Sequence, residues 1–312
     1  MNRDNRLVVK ANSLIDASFN LSLVEQRLML LAITEARELP HLSPETPIEV
    51  RAVTYREQYN VDRSESYKQL AEASKQLFNR QFSYIDSYKE NDAVSVSRWV
   101  NEVTYVTDKG MVVLYLNRNV ISMISRLEEQ FTKYHLMQIS DLSSQYSIRL
   151  YELMAKYINL GNSRKYPIEE IRGLFGIGIN EYKSMSDFKK RVLDLAVNEI
   201  NKKTDITVQY EQFKSGRVIT HLLFRITKKR TQKASYAMDA VIDLTDKQIL
   251  MFSDKLSRDS AFQSHFSAYV GESPQDYAIR IADKLVDPFY VKSWMQFLES
   301  VGYVNKTVQH LH

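Results

Sequence analysis

Residues 181–230 read EYKSMSDFKKRVLDLAVNEINKKTDITVQYEQFKSGRVITHLLFRITKKR. Ser186 is placed to cap a helix, because its hydroxyl can accept from a free backbone N–H of the first turn. Across Phe188 to Ile200 the residues Phe188, Val192, Leu193, Leu195, Ala196, Val197 and Ile200 recur at helical spacing on one side. Lys190, Arg191, Asp194, Asn198 and Asn201 fall on the other. Beyond Lys202, Lys203 and Thr204 the period changes to two. Ile206, Val208 and Tyr210 alternate with Thr207 and Gln209, and after a break at Lys214-Ser215-Gly216-Arg217 come Val218, Thr220, Leu222, Phe224 and Ile226. A helix with one dry face and one cationic, amide-bearing face, backed by a hairpin with a basic tip, has the parts of a winged-helix DNA reader. The helix would fill a major groove while the wing reaches phosphates.

Charge sharpens that expectation. The stretch holds twelve Lys/Arg against six Asp/Glu, a net +6, whereas the whole chain carries only +4. The excess is therefore local, which suits a polyanionic partner better than a general solubility charge. On the helix and its approach, Lys183, Ser186, Lys189, Lys190, Arg191, Asp194 and Asn198 are the candidate contacts. Arg191 has the fork to pair with guanine O6 and N7, and Asn198 the amide to pair with adenine. Lys202, Lys203, Lys214 and Arg217 suit phosphates, which fix register without reading sequence.

At 312 residues the chain has room for two or three domains, and 44% apolar with 26% charged residues is ordinary for a globular protein. With no cysteine, disulfides, thiolate zinc sites and a cysteine nucleophile are excluded. Met1 to Lys10 is polar and charged, without the apolar core of a signal peptide. The longest aliphatic run, Leu28 to Ile33, falls far short of the roughly 20 residues that span a bilayer. A cytoplasmic protein with no membrane partner is expected.

Upstream, Ser22-Leu23-Val24-Glu25 is a capping box opening a helix lined by Val24, Leu28, Leu31 and Ala32. A loop through Pro40, Ser43, Pro44 and Pro47 leads to an extended piece, Ile48 to Val53, and a short helix near Thr54 to Tyr59. Asp62 to Glu65 caps a long helix reaching about Arg80, with Tyr67, Leu70, Ala71, Ser74, Leu77 and Phe78 on its dry side. Phe82 to Tyr88, Val94 to Val106 and Met111 to Leu116 read as strands, followed by a helix from Arg118 to Glu129 and a connector through Tyr134. Then the order repeats. Ser144 to Leu160 is a helix stopped at Gly161, Ile168 to Phe175 a short one, and the basic helix and ribbon follow at an offset of roughly 120 residues.

The expected fold class is α+β, with two tandem winged-helix domains followed by a small α-helical C-terminal domain. The boundaries are residues 1–134, 135–230 and 231–312. Ser64, Ser66, Lys68, Lys75 and Arg80 on the first long helix, with Arg98 on its ribbon, are candidates for a second groove. In the tail, Thr245 with Gln248, Ser273-Pro274 and Asp287-Pro288 mark three helix starts, and Leu250, Phe252, Leu256, Phe262, Phe266, Tyr269, Ile279, Leu285, Trp294, Phe297 and Leu298 supply its core.

Enzyme chemistry finds little support in the residues. His310-Leu311-His312 has the spacing of metal-dependent nickases but no third ligand, and His41, His135, His221 and His265 are scattered. Gly173-Leu174-Phe175-Gly176-Ile177-Gly178 is not a dinucleotide fingerprint, and no Gly-Lys-Ser/Thr occurs. Glu128-Glu129 and Glu169-Glu170 are adjacent pairs, which on a helix diverge by about 100°. No catalytic residue, metal or cofactor is expected.

Ser22-Leu23-Val24-Glu25-Gln26-Arg27-Leu28, Ser147-Ile148-Arg149-Leu150-Tyr151-Glu152-Leu153 and the stretch Phe188 to Asn201 resemble, in order, segments of the plasmid replication initiators of the Rep_3 (RepB/RepE-like) family. The resemblance spans about residues 7 to 228 and leaves the tail uncovered. It implies two winged-helix domains that bind double-stranded DNA, namely origin direct repeats (iterons) as a monomer. It implies, too, a homodimer through the N-terminal domain that binds an inverted-repeat operator and represses the protein's own gene. Origin opening, with host DnaA and the replicative helicase as partners, is part of the same implication. By that likeness Lys189, Lys190 and Arg191 match the basic start of the reading helix, whereas Asp194 and Asn198 are added from their position alone. A winged-helix transcriptional repressor with no replication role is the alternative, and a rolling-circle nickase a distant third.

Overall fold

Ser22 Oγ accepts from the Glu25 backbone N–H at 3.3 Å, and Glu25 Oε2 accepts from that of Ser22 at 2.6 Å. The capping box thus opens the helix Leu23–Ala36, as its spacing predicts. The structure, a computed structural model, describes residues 6–39, 41–89, 91–125, 131–229, 244–269, 272–286 and 288–303. These form two compact units, 6–229 and 244–303.

In the first unit the capped helix buries Leu28, Leu31 and Ala32 completely. Strand Ile48–Arg51 leads into the short helix Ala52–Tyr59, which Asn60 ends in a left-handed conformation. Asp62 caps the long helix Arg63–Asn79 by accepting from the Ser64 N–H at 2.8 Å. That helix buries Leu70, Ala73, Ser74 and Leu77, but Phe78 is exposed rather than on the dry side.

Two expectations change here. Val94 to Val106 is not one strand. It divides at Trp99 into Asn91–Arg98, which pairs with Gln81–Tyr88, and Val100–Val106, which pairs with Met111–Leu116. Trp99 is buried against Phe19 at 5.0 Å and Phe82 at 4.7 Å, so the strand turns about an aromatic pivot and serves two sheets. The helix after Arg118 is described only to Ser125, and Glu128-Glu129 lies outside the described residues. The supposed connector ends in a strand, Phe131–His135, antiparallel to the N-terminal strand Leu7–Ala11. All five residues of Leu7–Ala11 are buried, so neither the alternation of a half-buried strand nor a nearby partner announces it.

The second half begins at Ser144, which caps the helix Gln145–Ala155. This helix stops before Leu160 because the chain beyond it joins a sheet. Ile226 donates to the Gly161 carbonyl at 2.7 Å, and Ser163 to that of Phe224 at 2.9 Å. Gly161 does take a positive φ, +76°. A two-residue strand, Tyr166–Pro167, makes the third member of the ribbon sheet, outside Val218–Lys228, which pairs with Ile206–Ser215. Between them run the short helix Ile168–Leu174 and the long basic helix. Helix, short helix, long helix and β-ribbon therefore occur twice, and the molecule has two winged-helix folds in tandem.

The second unit is helical: Asp246–Arg258, Ser260–His265, Pro274–Leu285, Pro288–Ser293 and Met295–Ser300. Thr245 and Gln248 form a capping box, and Ser273 accepts from the Asp276 N–H with Pro274 at the first helical position. The third expected helix start falls at Pro288, which opens the fourth of these helices, while Asp287 lies outside the described residues. Phe252, Leu256, Phe262, Leu285, Trp294 and Leu298 are buried, whereas Leu250, Tyr269 and Ile279 are exposed. The Tyr269 ring lies 3.9 Å from the guanidinium of Arg280, which also forms two 2.8 Å hydrogen bonds to Glu272.

Candidate nucleic-acid interface

The basic helix runs continuously as Met185–Phe188, a π-helical turn Lys189–Leu193, and Asp194–Lys203. Ser184, not Ser186, is its cap, accepting from the Asp187 N–H at 3.0 Å. Helix formation thus starts two residues earlier than read, and Ser186 lies exposed in the first turn. Phe188, Val192, Leu193, Ala196 and Ile200 are fully buried. Leu195, expected among them, is 41% exposed.

On the open face stand Lys190, Arg191, Asn198 and Lys202, all exposed, with Lys189 half-buried beside them. Lys183 is exposed on the approach to the helix. Arg191 is 3.6 Å from Asp187, an i,i+4 pair with both side chains more than half exposed. Such a pair is worth about 0.3–0.5 kcal/mol and yields readily to a better partner. Asp194 is occupied otherwise. It accepts from Tyr210 Oη at 2.7 Å, tying the helix to the ribbon. Burial and then the Asp194 carboxylate push the Tyr210 phenol up, so it remains a donor.

Lys203 is exposed but also paired, donating to Glu199 Oε1 at 2.7 Å. Glu199 accepts in addition from the Ser143 and Ser144 backbone N–H groups at 2.9 and 3.1 Å, clamping the basic helix to the start of Gln145–Ala155. Partial burial raises the Glu199 pKa, but hydrogen bonds from Lys203 and Ser143 overcome it and bring the carboxyl down to about 2. At the ribbon tip Gly216 takes φ +59°, and Lys214 and Arg217 project on either side of the turn, both exposed. Lys165 was not read from the sequence because a two-residue strand gives no periodic signal. It is exposed and lies 4.0 Å from the Phe213 ring.

The first domain retains fewer of its candidates on an open face. Ser66 is buried and donates to the Arg63 carbonyl, so it faces protein. Arg80 is committed to the fully buried Glu25 of the capping box, at 2.8 and 3.3 Å. Arg98 donates to the Phe78 carbonyl at 2.9 Å, with its guanidinium over that ring. Ser64 is exposed but donates to Asp62 at 2.6 Å. Lys68 and Lys75, seven residues apart on one helix face, remain open.

The two heads are joined through buried polar contacts. Arg149 donates to the carbonyls of Leu174 at 2.9 Å and Ala17 at 2.5 Å, and lies 4.2 Å from the Phe19 ring. Ser18 donates to the Gly173 carbonyl at 2.5 Å. A Cβ at Gly176 would come within 2.1 Å of the Phe19 carbonyl oxygen, so only glycine fits this crossing. Among the described residues no helix is long and apolar enough to cross a membrane, and no cluster of three His, Asp or Glu could hold a metal. His310-Leu311-His312 lies outside them.

Two such heads, one with a basic open-faced helix, define a tandem winged-helix protein of the DNA-binding class. Family descriptions agree: residues 7–155 match "Initiator Replication protein, WH1" and residues 167–226 match "Initiator Rep protein, WH2". The chain belongs to this family of plasmid replication initiators. A "Replication initiation protein" of Escherichia coli is 24% identical over 258 residues, 80% of this chain and 77% of that one. "PI protein" of the same organism is 28% identical over 249 residues, covering 68% and 80%. The crystal structure of Pi initiator protein in complex with iteron DNA superposes with a TM-score of 0.60 at 24% identity, covering 74% of this chain and all of that one, and shows the same fold.

Proposed function

We propose that this initiator binds directly repeated origin sequences as a monomer and promotes opening of the adjacent duplex. Host DnaA and the replicative helicase would then be recruited there. On this reading it acts through binding alone, in the cytoplasm, without cofactor. The domains are those of residues 1–134, 135–230 and 231–312, the second carrying most of the sequence discrimination. The observation that carries the reading is the pair of heads locked in one compact unit, 6–229. A single chain so built can enter two grooves of one duplex, whereas a one-headed repressor acquires its second head by dimerising.

Autorepression is proposed for a homodimer formed through the first domain. Strand Asn91–Arg98 has no partner on its outer side among the described residues. Its Val94 stands opposite Ile85, with Val96 one pair along on the same face, and these three are 74%, 78% and 63% exposed. An open edge with an apolar face is self-complementary under a two-fold axis, and a second copy of the chain is its simplest cover. The test is selection of bound duplexes from random DNA by the full chain. Direct repeats from the monomer and inverted repeats from the dimer are expected. Inverted repeats alone would leave a repressor with no replication role.

A further inference from the structure

We infer that Leu195 is a specificity-determining residue that reads the C5-methyl group of a thymine in the major groove. The inference rests on the reading of the basic helix as a groove-bound element. In an uninterrupted α-helix Leu195 would stand three residues beyond Val192 and seven beyond Phe188, on the dry stripe. The π-helical turn Lys189–Leu193 inserts an extra residue and rotates everything beyond it by roughly 100°. Ala196 and Ile200 stay in the core alongside Phe188 and Val192. Leu195 is carried out, to 41% exposure, one turn beyond Arg191 and one turn before Asn198.

The stripe Arg191, Leu195, Asn198, Lys202 therefore presents cation, apolar group, amide and cation in succession. Single exposed leucines are common and carry no message by themselves. This one is centred between the guanidinium and the amide that face the same way, on a helix held by the Tyr210–Asp194 and Glu199–Ser143 hydrogen bonds. A bare aliphatic group at that position matches one feature of the major groove, since thymine is the base that displays a methyl there. Lysine and arginine to either side would read or anchor the flanking positions.

The probe is the duplex recovered by selection with the full chain, with its thymines replaced one at a time by deoxyuridine, which deletes only the methyl group. Affinity is measured at fixed salt by fluorescence anisotropy. Removing one methyl from an apolar contact should weaken wild-type binding about three- to fivefold at one or two positions. In Leu195→Ala that sensitivity should vanish, and the variant should bind the thymine duplex about as weakly as wild type binds the deoxyuridine one. Leu195→Met should retain the sensitivity. Because Leu195 is exposed, both variants should melt like the parent, and circular dichroism checks that. Undiminished methyl sensitivity in Leu195→Ala, or no sensitive position in wild type, overturns the inference. If Lys190→Ala with Arg191→Ala still abolishes binding, the groove reading itself survives. If no duplex is enriched in the selection, both fall together.

Discussion

Lys10 Nζ donates to Glu152 Oε1 at 2.5 Å across 142 residues of chain, with both side chains buried. Tyr134 Oη donates to the same oxygen at 2.5 Å, and Arg149 Nη1 lies 3.6 Å from Oε2. The N-terminal strand is thus fastened to the helix Gln145–Ala155 by charge rather than by apolar packing alone. Burial raises the Glu152 pKa, but Lys10 and Arg149 overcome it and hold the carboxyl below its ordinary range. Removing one member leaves a buried charge short of a partner. Lys10→Met is expected to lower stability by about 3–5 kcal/mol, read from the urea midpoint at neutral pH. An unchanged midpoint would mean that water reaches Glu152 in solution.

The arrangement also explains what could and could not be read from the chain. Ser22, Glu25, Asp62, Thr245 and Ser273 act within four residues of themselves, so these caps and the helix starts they mark were legible, as was the Ile206–Ser215 ribbon with its alternation. Leu7–Ala11 was not, because its partner strand lies far along the chain and its lysine is paired out of sight. Arg80 looked like a free cation, yet it is claimed by the buried carboxylate of Glu25, 55 residues away, and Lys203 pairs with Glu199 one turn back on its own helix. Leu195 was misplaced for a purely geometric reason. Periodicity assumes 3.6 residues per turn, and one π turn breaks the count without leaving a mark in the composition.

The open face of the basic helix gives the second prediction. Arg191 is held only by its exposed pair with Asp187, and Lys190 makes no ion pair among the described residues. Lys190→Ala with Arg191→Ala should therefore leave the melting temperature unchanged while abolishing specific binding to the selected duplex. The Arg191 share should be about 1–3 kcal/mol and confined to one base position. Anisotropy at fixed salt measures it, and unaltered affinity would remove this helix from the interface.

Glu199 supplies a pH dependence. Its folded pKa, about 2, lies below the ordinary value of 4.5, so the clamp contributes fully above 4.5. Its contribution is lost progressively as pH falls from there through 2. Because Lys203 is 36% exposed, solvent screening reduces the effect to about 1–2 kcal/mol. Glu199→Gln should accordingly lower stability at pH 7 and flatten the decline of stability between pH 5 and pH 2. Parallel urea titrations of the two proteins across that range provide the comparison.

The C-terminal helical unit carries no part of the basic excess, and the first unit has its own core. Lys229 Nζ donates to the carbonyls of Asn201 and Thr204, both at 2.7 Å, and so finishes the end of the basic helix. A chain ending at Lys229 keeps that cap. It should fold and bind the selected duplex within about twofold of the full chain, a difference well under 1 kcal/mol. Loss of the site by a truncated protein that still melts cooperatively would place DNA contacts in the tail.

The open strand Asn91–Arg98 offers a way to separate the two oligomeric forms. A lysine at Val94 would face solvent in the monomer but would oppose its own copy across a two-fold edge. Val94→Lys should therefore leave the monomer stable, since a surface substitution costs about 0.5 kcal/mol or less. In sedimentation velocity it should shift the protein to monomer at concentrations where the parent dimerises. Binding to inverted repeats should fall with the dimer, while binding to direct repeats should persist, because each monomer keeps both heads. A variant that still dimerises would move the interface elsewhere on the first domain and leave Ile85, Val94 and Val96 without this role.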